Sequence, residues 1–360
     1  MWYALIAEIA FLSIFTIVNT PREWFKNKLF LLTFIIFHLI GISSVIVLLW
    51  FFYRLNNPII KSIVLIVETA YFTFNIFAFG LSLYRSFIFY ATRHNKNRKL
   101  RDKILSPVVF WSIVTVLSIL YLIPGIKNAD NTIKKTYHIE SNEIDHLKIA
   151  MVSDLHVGAG ASNKNIDDMV KIINDMNADC LIMCGDIADS SSSIDDLEYL
   201  EQSLCKINTK YGTYAVEGNH DDQCRYNVKQ YLLDAGVTCL HNESSVINGN
   251  MAIIGLCDKL DENVKEIEDE NEIDDVYTIV LQHKPRNFKS IQNDTDLVLC
   301  GHTHGYQYPF VAVTTPLFNE MRQGIKKFGK MTAVTSCGVS QWGYHSKWPS
   351  QSEVVEIIIN

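Results

Sequence analysis

Cys180-Leu181-Ile182-Met183-Cys184-Gly185-Asp186-Ile187-Ala188-Asp189 decides the reading of this chain. Five uncharged, largely apolar residues, long enough for a buried strand, run into a glycine. Two carboxylates follow, three positions apart. Glycine permits the sharp turn and close backbone approach that such a strand end needs. In open α/β sheets, the loops at the C-terminal ends of strands are where ligands are held. A carboxylate at that point is a candidate metal ligand.

Four other segments share this form. Asp154-Leu155-His156 follows the apolar run 149–152, and Gly218-Asn219-His220-Asp221 follows 214–216. Gln282-His283 follows 279–281, and Gly301-His302-Thr303-His304-Gly305 follows 297–299. Each segment alone is a common pattern. The five in this order supply carboxylate, amide and imidazole groups with no thiolate, a donor set suited to Mn, Fe or Zn. Two such ions sharing a carboxylate can clamp a phosphate and activate water. No P-loop, serine nucleophile elbow or paired-cysteine zinc site is present.

From residue 147 onward, short apolar strands alternate with helical spacing at 166–176, 194–207 and 226–235. Further strands are expected at 251–256, 277–281, 297–300, 331–336 and 354–359. This alternation predicts an α/β domain. Residues 128–146 read as linker and first strand, and 258–275 as an acidic, solvated stretch.

Residues 1–127 differ in kind. They carry 13 Lys/Arg against 4 Asp/Glu, whereas 128–360 carry 19 against 35. Apolar runs at 2–18, 29–53, 59–84 and 108–126 predict an all-α region of four transmembrane helices, because about 20 apolar residues cross a bilayer. Arg85, Arg93, Lys96, Arg98, Lys99, Arg101 and Lys103 crowd the loop after the third run, which places that loop in the cytoplasm. The expected location is therefore a multi-pass cell membrane protein with its metal-binding domain outside the cytoplasm. Glu8, His38 and Glu68 are ionisable groups within the runs. The acidic second part, which has no basic stripe, argues against nucleic acid as a partner. All eight cysteines lie at or beyond 180 and lack metal-site spacing, so most read as free thiols.

The set D-x-H, G-D-x-x-D, G-N-H-D, a single His and G-H-x-H resembles the calcineurin-like metallophosphoesterases. Ser153–His156, Asn242-Glu243, 281–285, 296–305, Ser340-Gln341-Trp342-Gly343 and Ser352-Glu353 further resemble a membrane-anchored bacterial subgroup of that family. The resemblance covers about residues 137–360. It implies a β-sandwich flanked by helices and two divalent metal ions (Mn, Fe or Zn). By the same resemblance Asp154, His156 and His304 bind the first ion, and Asn219, His283 and His302 bind the second. Asp186 bridges the two, His220 is the general acid, and Asp189 orients His220. The implied reaction is phosphoester hydrolysis by a metal-bridging hydroxide, with a phosphodiester or pyrophosphate as substrate at the cell envelope. Anchoring suggests a lipid-linked substrate and contact with membrane lipids. A phosphomonoesterase and a non-catalytic membrane-bound ligand sensor are the alternatives. The chain departs from the subgroup at Tyr306, where a glycine is usual, and at Lys347, where arginine is expected to contact phosphate. His241 and His345 read as ordinary surface histidines.

Overall fold

The computed structural model describes residues 58–92, 106–158, 160–257, 276–305, 307 and 318–360. It also describes scattered positions between 13 and 43, together with Val264 and Ile267. The chain divides into two compact units, Met1–Pro124 and Gly125–Asn360.

In the first unit, helix α1 spans Pro58–Thr92. Helix α2, Pro107–Asp130, begins in this unit and ends in the second. Ser106 caps α2 by accepting from Val109 N, and Pro107 occupies the first helical position, where a missing N–H is harmless. Phe74 stacks on Trp111 at 5.3 Å between ring centroids, beside buried Ala78, Phe110 and Val114. Val108, Val116, Leu120 and Ile123 of α2 are exposed. A row of exposed aliphatic side chains of this size suits contact with lipid or another protein better than contact with water.

The expected four-helix membrane region is corrected here. Among the described residues two helices are long and apolar enough to cross a membrane, Ile63–Ile88 and Pro107–Asp130. The expected spans 2–18 and 29–53 fall largely outside the described residues. The first of these is also the shortest of the four, at the lower limit of length for crossing a bilayer core. Counting apolar residues along a sequence does not by itself show that each run forms a spanning helix.

The second unit contains twelve strands among its described residues. In chain order they are β1 (Ile133–Ile139), β2 (Leu147–Val152), β3 (Cys180–Cys184), β4 (Thr213–Val216), β5 (Val237–Cys239) and β6 (Glu243–Ile247). There follow β7 (Met251–Gly255), β8 (Tyr277–Leu281), β9 (Leu297–Cys300), β10 (Gly324–Phe328), β11 (Met331–Thr335) and β12 (Glu353–Ile359). They form two six-stranded sheets, ordered β1-β12-β2-β3-β4-β5 and β10-β11-β9-β8-β7-β6. Strands β2 to β5 are mutually parallel, as are β7, β8, β9 and β11. Both sheets thus present a set of parallel strand ends.

Side chains alternate across each strand, and both faces are buried. Ile149, Met151, Ile182, Val216, Ile253, Ile279, Leu281, Leu299 and Val334 meet between the sheets. The intervening Ala150, Val152, Leu181 and Met183 point outward. They meet the apolar faces of α3 (Asn163–Met176), α4 (Ile194–Leu204) and α5 (Val228–Asp234). In α3 that face is Ile166, Met169, Val170, Ile173 and Met176, the spacing of one helical stripe. Ser162 and Asn165 form its capping box, and Asn177 ends it in the left-handed conformation. On the second sheet Ile254, Val280, Val298 and Cys300 pack outward on Phe288 and Ile291 of the short helix α6 (Phe288–Ile291). Burial of both faces explains why the central strands read as continuous apolar runs. None of the eight cysteines is in a disulfide.

Candidate metal centre

Parallel pairing continues past the ends of β2 and β3. Asp154 N donates to Gly185 O, His156 N to Asp186 O and Val157 N to Ile187 O, each at 3.0 Å. This ladder sets Asp154 and His156 alongside Asp186. In the other sheet Gly301 N donates to His283 O at 2.9 Å, so the loops after β8 and β9 are joined in the same way. His302 N reaches across to the Asp154 carboxylate at 3.0 and 3.1 Å. The loop after β4 comes closest of all. A Cβ at Gly218 would overlap the backbone nitrogen and Oδ1 of Asp186, so this position admits only glycine.

The result is two clusters of ligand atoms. Asp154, His156 and His304 form one; Asp186, His283 and His302 form the other. Within each cluster the ligand atoms lie within 4.8 Å of one another. One oxygen stands between them: Asp186 Oδ2 is 3.6 Å from His156 Nε2 and 3.0 Å from His283 Nε2. His304 Nε2 is 3.4 Å from Asp154 Oδ1, and His302 Nδ1 is 3.2 Å from His283 Nε2. Asn219 lies in the loop after β4, and its Oδ1 is buried with no hydrogen-bond partner. His156 Nε2 is likewise without a hydrogen bond. Buried polar atoms without partners are unfavourable unless something else satisfies them. A divalent ion does so, and the nitrogen and oxygen donor set fits Mn, Fe or Zn. These two clusters constitute a dinuclear divalent metal site.

Burial and neighbouring charge act differently on the individual groups of the metal-free site. Burial works against ionisation of Asp186, yet the adjoining His283 holds its carboxyl far below the usual range. Burial would lower His283, but the Asp186 charge and hydrogen bond push it up to about 9. Burial pushes His302 down to about 2 and His220 down to about 4, and pushes His304 well down as well. Neutral imidazoles are the form that binds metal. His283 is oriented from behind, with Nδ1 2.8 Å from Cys184 O, a common outer contact of ligand histidines.

His220 donates its backbone N–H to Asp186 Oδ1 at 2.8 Å, and its ring lies 5.4 Å from that of Trp342 and 5.1 Å from that of His156. Asp189 is placed differently from the expectation. Its Oδ2 lies 3.3 Å from His156 Nδ1, and its Oδ1 accepts from Ser191 N at 2.7 Å. Among the described contacts Asp189 thus lies against His156, while its charge also reaches His220. The expected phosphate contact at residue 347 is also replaced. Lys347 is fully buried and donates to the carbonyls of Cys337, Gly338 and Ser340, so it organises a loop instead of facing a substrate. Tyr306 lies outside the described residues.

Asp221 is the contributor that the sequence reading passed over. Its two carboxylate oxygens accept from Ala188 N and Gly218 N, both at 2.8 Å. It thereby ties the loop of Asp186 to the loop of Asn219. Burial, with the Asp186 charge adding to it, pushes its carboxyl up to about 7. Its place in the Gly-Asn-His-Asp run was the available signal.

Two sheets whose parallel strand ends bring six ligand residues together, with one carboxylate between the two clusters, define a dinuclear metal site on an α/β fold. The chain belongs to the calcineurin-like metallophosphoesterases: residues 147–306 match the calcineurin-like phosphoesterase family. An uncharacterized metallophosphoesterase of Aquifex aeolicus is 31% identical over 237 residues, which is 62% of this chain and 90% of that protein. A transmembrane protein with a metallophosphoesterase domain from Bos taurus is 27% identical over 289 residues. That match covers 74% of this chain but only 64% of the bovine protein's length. Among solved structures, a dimetal phosphatase from Danio rerio is 13% identical, with a TM-score of 0.36 over 56% of this chain and 90% of that one. Similar proteins come from bacteria and from animals, so the resemblance is to the family rather than to a bacterial subgroup.

Proposed function

We propose that the protein hydrolyses phosphoesters with two divalent ions, and that phosphodiesters or pyrophosphates are its substrates. The observation that carries this reading is Asp186 Oδ2, set between His156 and His283 so that one carboxylate serves both clusters. Asp154, His156 and His304 would hold one ion. Asn219, His283 and His302 would hold the other, with Asp186 shared. When bound, such ions supply positive charge to a phosphoryl group and lower the pKa of water. His220 stands beside the shared carboxylate with its ring against Trp342, placed to give a proton to a leaving oxygen once an anionic substrate favours its charged form. Asp189 fixes the ring of His156.

The two apolar helices are consistent with membrane association. The basic residues between 85 and 103 would keep the intervening segment in the cytoplasm, which puts the end of α2 and the catalytic domain outside. A lipid-linked phosphoester is the substrate class that this placement favours.

The test uses full-length protein in detergent, with Mn²⁺ and activated aryl phosphodiester and monoester substrates. Diester cleavage should vanish on chelation and return with Mn²⁺. Asp186→Asn should lose both ions and activity. His220→Ala should keep the ions and lose turnover, most of all for poor leaving groups. Full activity in either variant refutes the assignment. For topology, a Lys135→Cys variant in a background lacking the native thiols should label from outside intact cells; its folded but unlabelled form would place the domain inside.

A further inference from the structure

The two ion positions are braced by different parts of the molecule. Behind the second cluster stand the strand ends themselves: His283 Nδ1 rests on Cys184 O, and Asp186 Oδ1 takes the His220 N–H. Behind the first cluster stands the last turn of α2, residues 125–130, through three hydrogen-bonded routes.

One route starts at Asp130, whose Oδ1 lies 2.7 Å from His345 Nε2. His345 Nδ1 is 3.0 Å from Gln341 Nε2, and the same amide donates to Gly160 O at 2.9 Å. Gly160 N donates to His156 O at 2.8 Å. A single tautomer of His345, protonated on Nε2, satisfies these two contacts. A second route starts at Gly125, whose carbonyl accepts from Lys347 N at 2.9 Å. The buried Lys347 Nζ donates to Ser340 O at 2.9 Å, and that carbonyl faces His304 Nδ1 at 3.4 Å. Ser340 N also donates to Asp154 O at 3.3 Å, and its Oγ donates to Leu155 O. In the third route Asn128 Nδ2 donates to Ser350 O at 3.0 Å, and Ser350 Oγ donates to His304 O at 2.9 Å. Asp154, His156 and His304 are thus all reached from one helical turn.

We propose that the last turn of α2 is a positioning element for the first ion position. Ion binding at Asp154, His156 and His304 depends on it, and ion binding at Asp186, His283 and His302 does not. His345, read from sequence as an ordinary surface histidine, is a positioning residue in this scheme. The inference rests on the two-ion reading above. It also ties the metal centre to the end of an apolar helix, so a domain cut away before residue 131 is expected to fill one ion position poorly.

The experiment titrates full-length wild-type, Asp130→Asn and His345→Leu proteins with Mn²⁺ and follows free and bound Mn²⁺ by electron paramagnetic resonance. Wild type should bind two ions and give the signal of a coupled pair. Each variant should bind one ion normally and the other about 10–100-fold more weakly, as outer contacts of ligand histidines typically require. At intermediate Mn²⁺ the variants should show an isolated ion. Adding His302→Ala to His345→Leu should then remove the remaining tight site, which identifies it as the second position. Two ions bound at wild-type affinity in both variants would overturn the proposal. So would equal weakening of both positions, which is what general destabilisation produces. A wild-type protein that takes up fewer than two ions refutes the two-ion reading itself, and this inference with it.

Discussion

Asp221→Ala isolates a residue that touches no expected substrate yet should control the centre. The wild-type carboxylate is buried and accepts one backbone N–H on each oxygen, from Ala188 and from Gly218. Alanine leaves both donors without a partner. Each buried donor stripped of its acceptor costs about 1–3 kcal/mol, so the pair should cost about 2–6 kcal/mol. Part of this is offset because the wild-type carboxyl is itself unfavourably buried, as its rise to about 7 records. The lower half of the range is therefore the expectation. Asparagine keeps one acceptor and should lose less. Denaturant unfolding of the chelated proteins measures the stability term. Mn²⁺ titration measures the second consequence, because the two tethered loops carry Asp186 and Asn219, and ion affinity should fall about 10–100-fold. An Asp221→Ala protein that unfolds within about 0.5 kcal/mol of wild type, the usual range for surface substitutions, and binds ions normally would refute the tether.

Gly218→Ala should be as damaging as loss of a ligand. Its Cβ would meet Asp186 N and Oδ1, and relief would require moving the shared carboxylate. Metal analysis should find ions depleted while circular dichroism finds the sheets intact, and a fully loaded variant would contradict the geometry. Ion uptake should also release protons. His283 is pushed up to about 9 by Asp186, so near neutral pH the metal-free site carries a proton that a ligand nitrogen must give up. Affinity should therefore rise with pH from the ordinary histidine range towards about 9 and level off above it. Calorimetry in buffers of different ionisation enthalpy should detect about one proton released as the position holding His283 fills, and pH-independent uptake would contradict it.

The central strands were legible and the edges were not. Strands β2, β3, β4, β7, β8, β9, β11 and β12 have neighbours on both sides and are largely buried, which makes their sequences mostly apolar, with Lys148, Glu353 and Glu356 the charged exceptions. The four edge strands are β1, β5, β6 and β10. Edge strands tend to be short, polar or charged, because an apolar exposed edge invites pairing with other chains. Lys134 and Lys135 in β1, Glu243 in β6 and Lys326 and Lys327 in β10 follow this rule. The same substitutions that protect an edge erase its signal, so β5, β6 and β10 were not anticipated, and β1 was read only as a first strand without bounds in the polar stretch 128–146. For the apolar helices the limit was different, since hydropathy registers apolar runs but not which of them form spanning helices.

At the centre, the residue types were readable and the backbone beneath them was not. Asp154, His156, Asp186, His302 and His304 all have positive φ, between 45° and 73°. Among the described residues the other non-glycine positions with positive φ are all asparagines, which tolerate that region well. Aspartate and histidine enter it more often than most side chains, but an ordinary L-residue there costs roughly 1–2 kcal/mol. Five such residues at one place mean that the surrounding loops over-determine the backbone. The left-handed turns aim successive side chains inward from short loops: Asp154 and His156 with one residue between them, and His302 and His304 likewise. An extended segment also sends alternate residues to one side, but it would carry them away from the strand end as it advanced. The turn keeps both beside it, next to the ladder that joins β2 to β3. Strain in the loops and the partnerless Asn219 Oδ1 are thus two faces of one arrangement, since a backbone folded tightly enough to converge the ligands leaves little room for protein atoms to satisfy them. An ion supplies what the packing withholds. This is why the centre should lose order on chelation while the sheets, whose cores contain none of these residues, keep theirs.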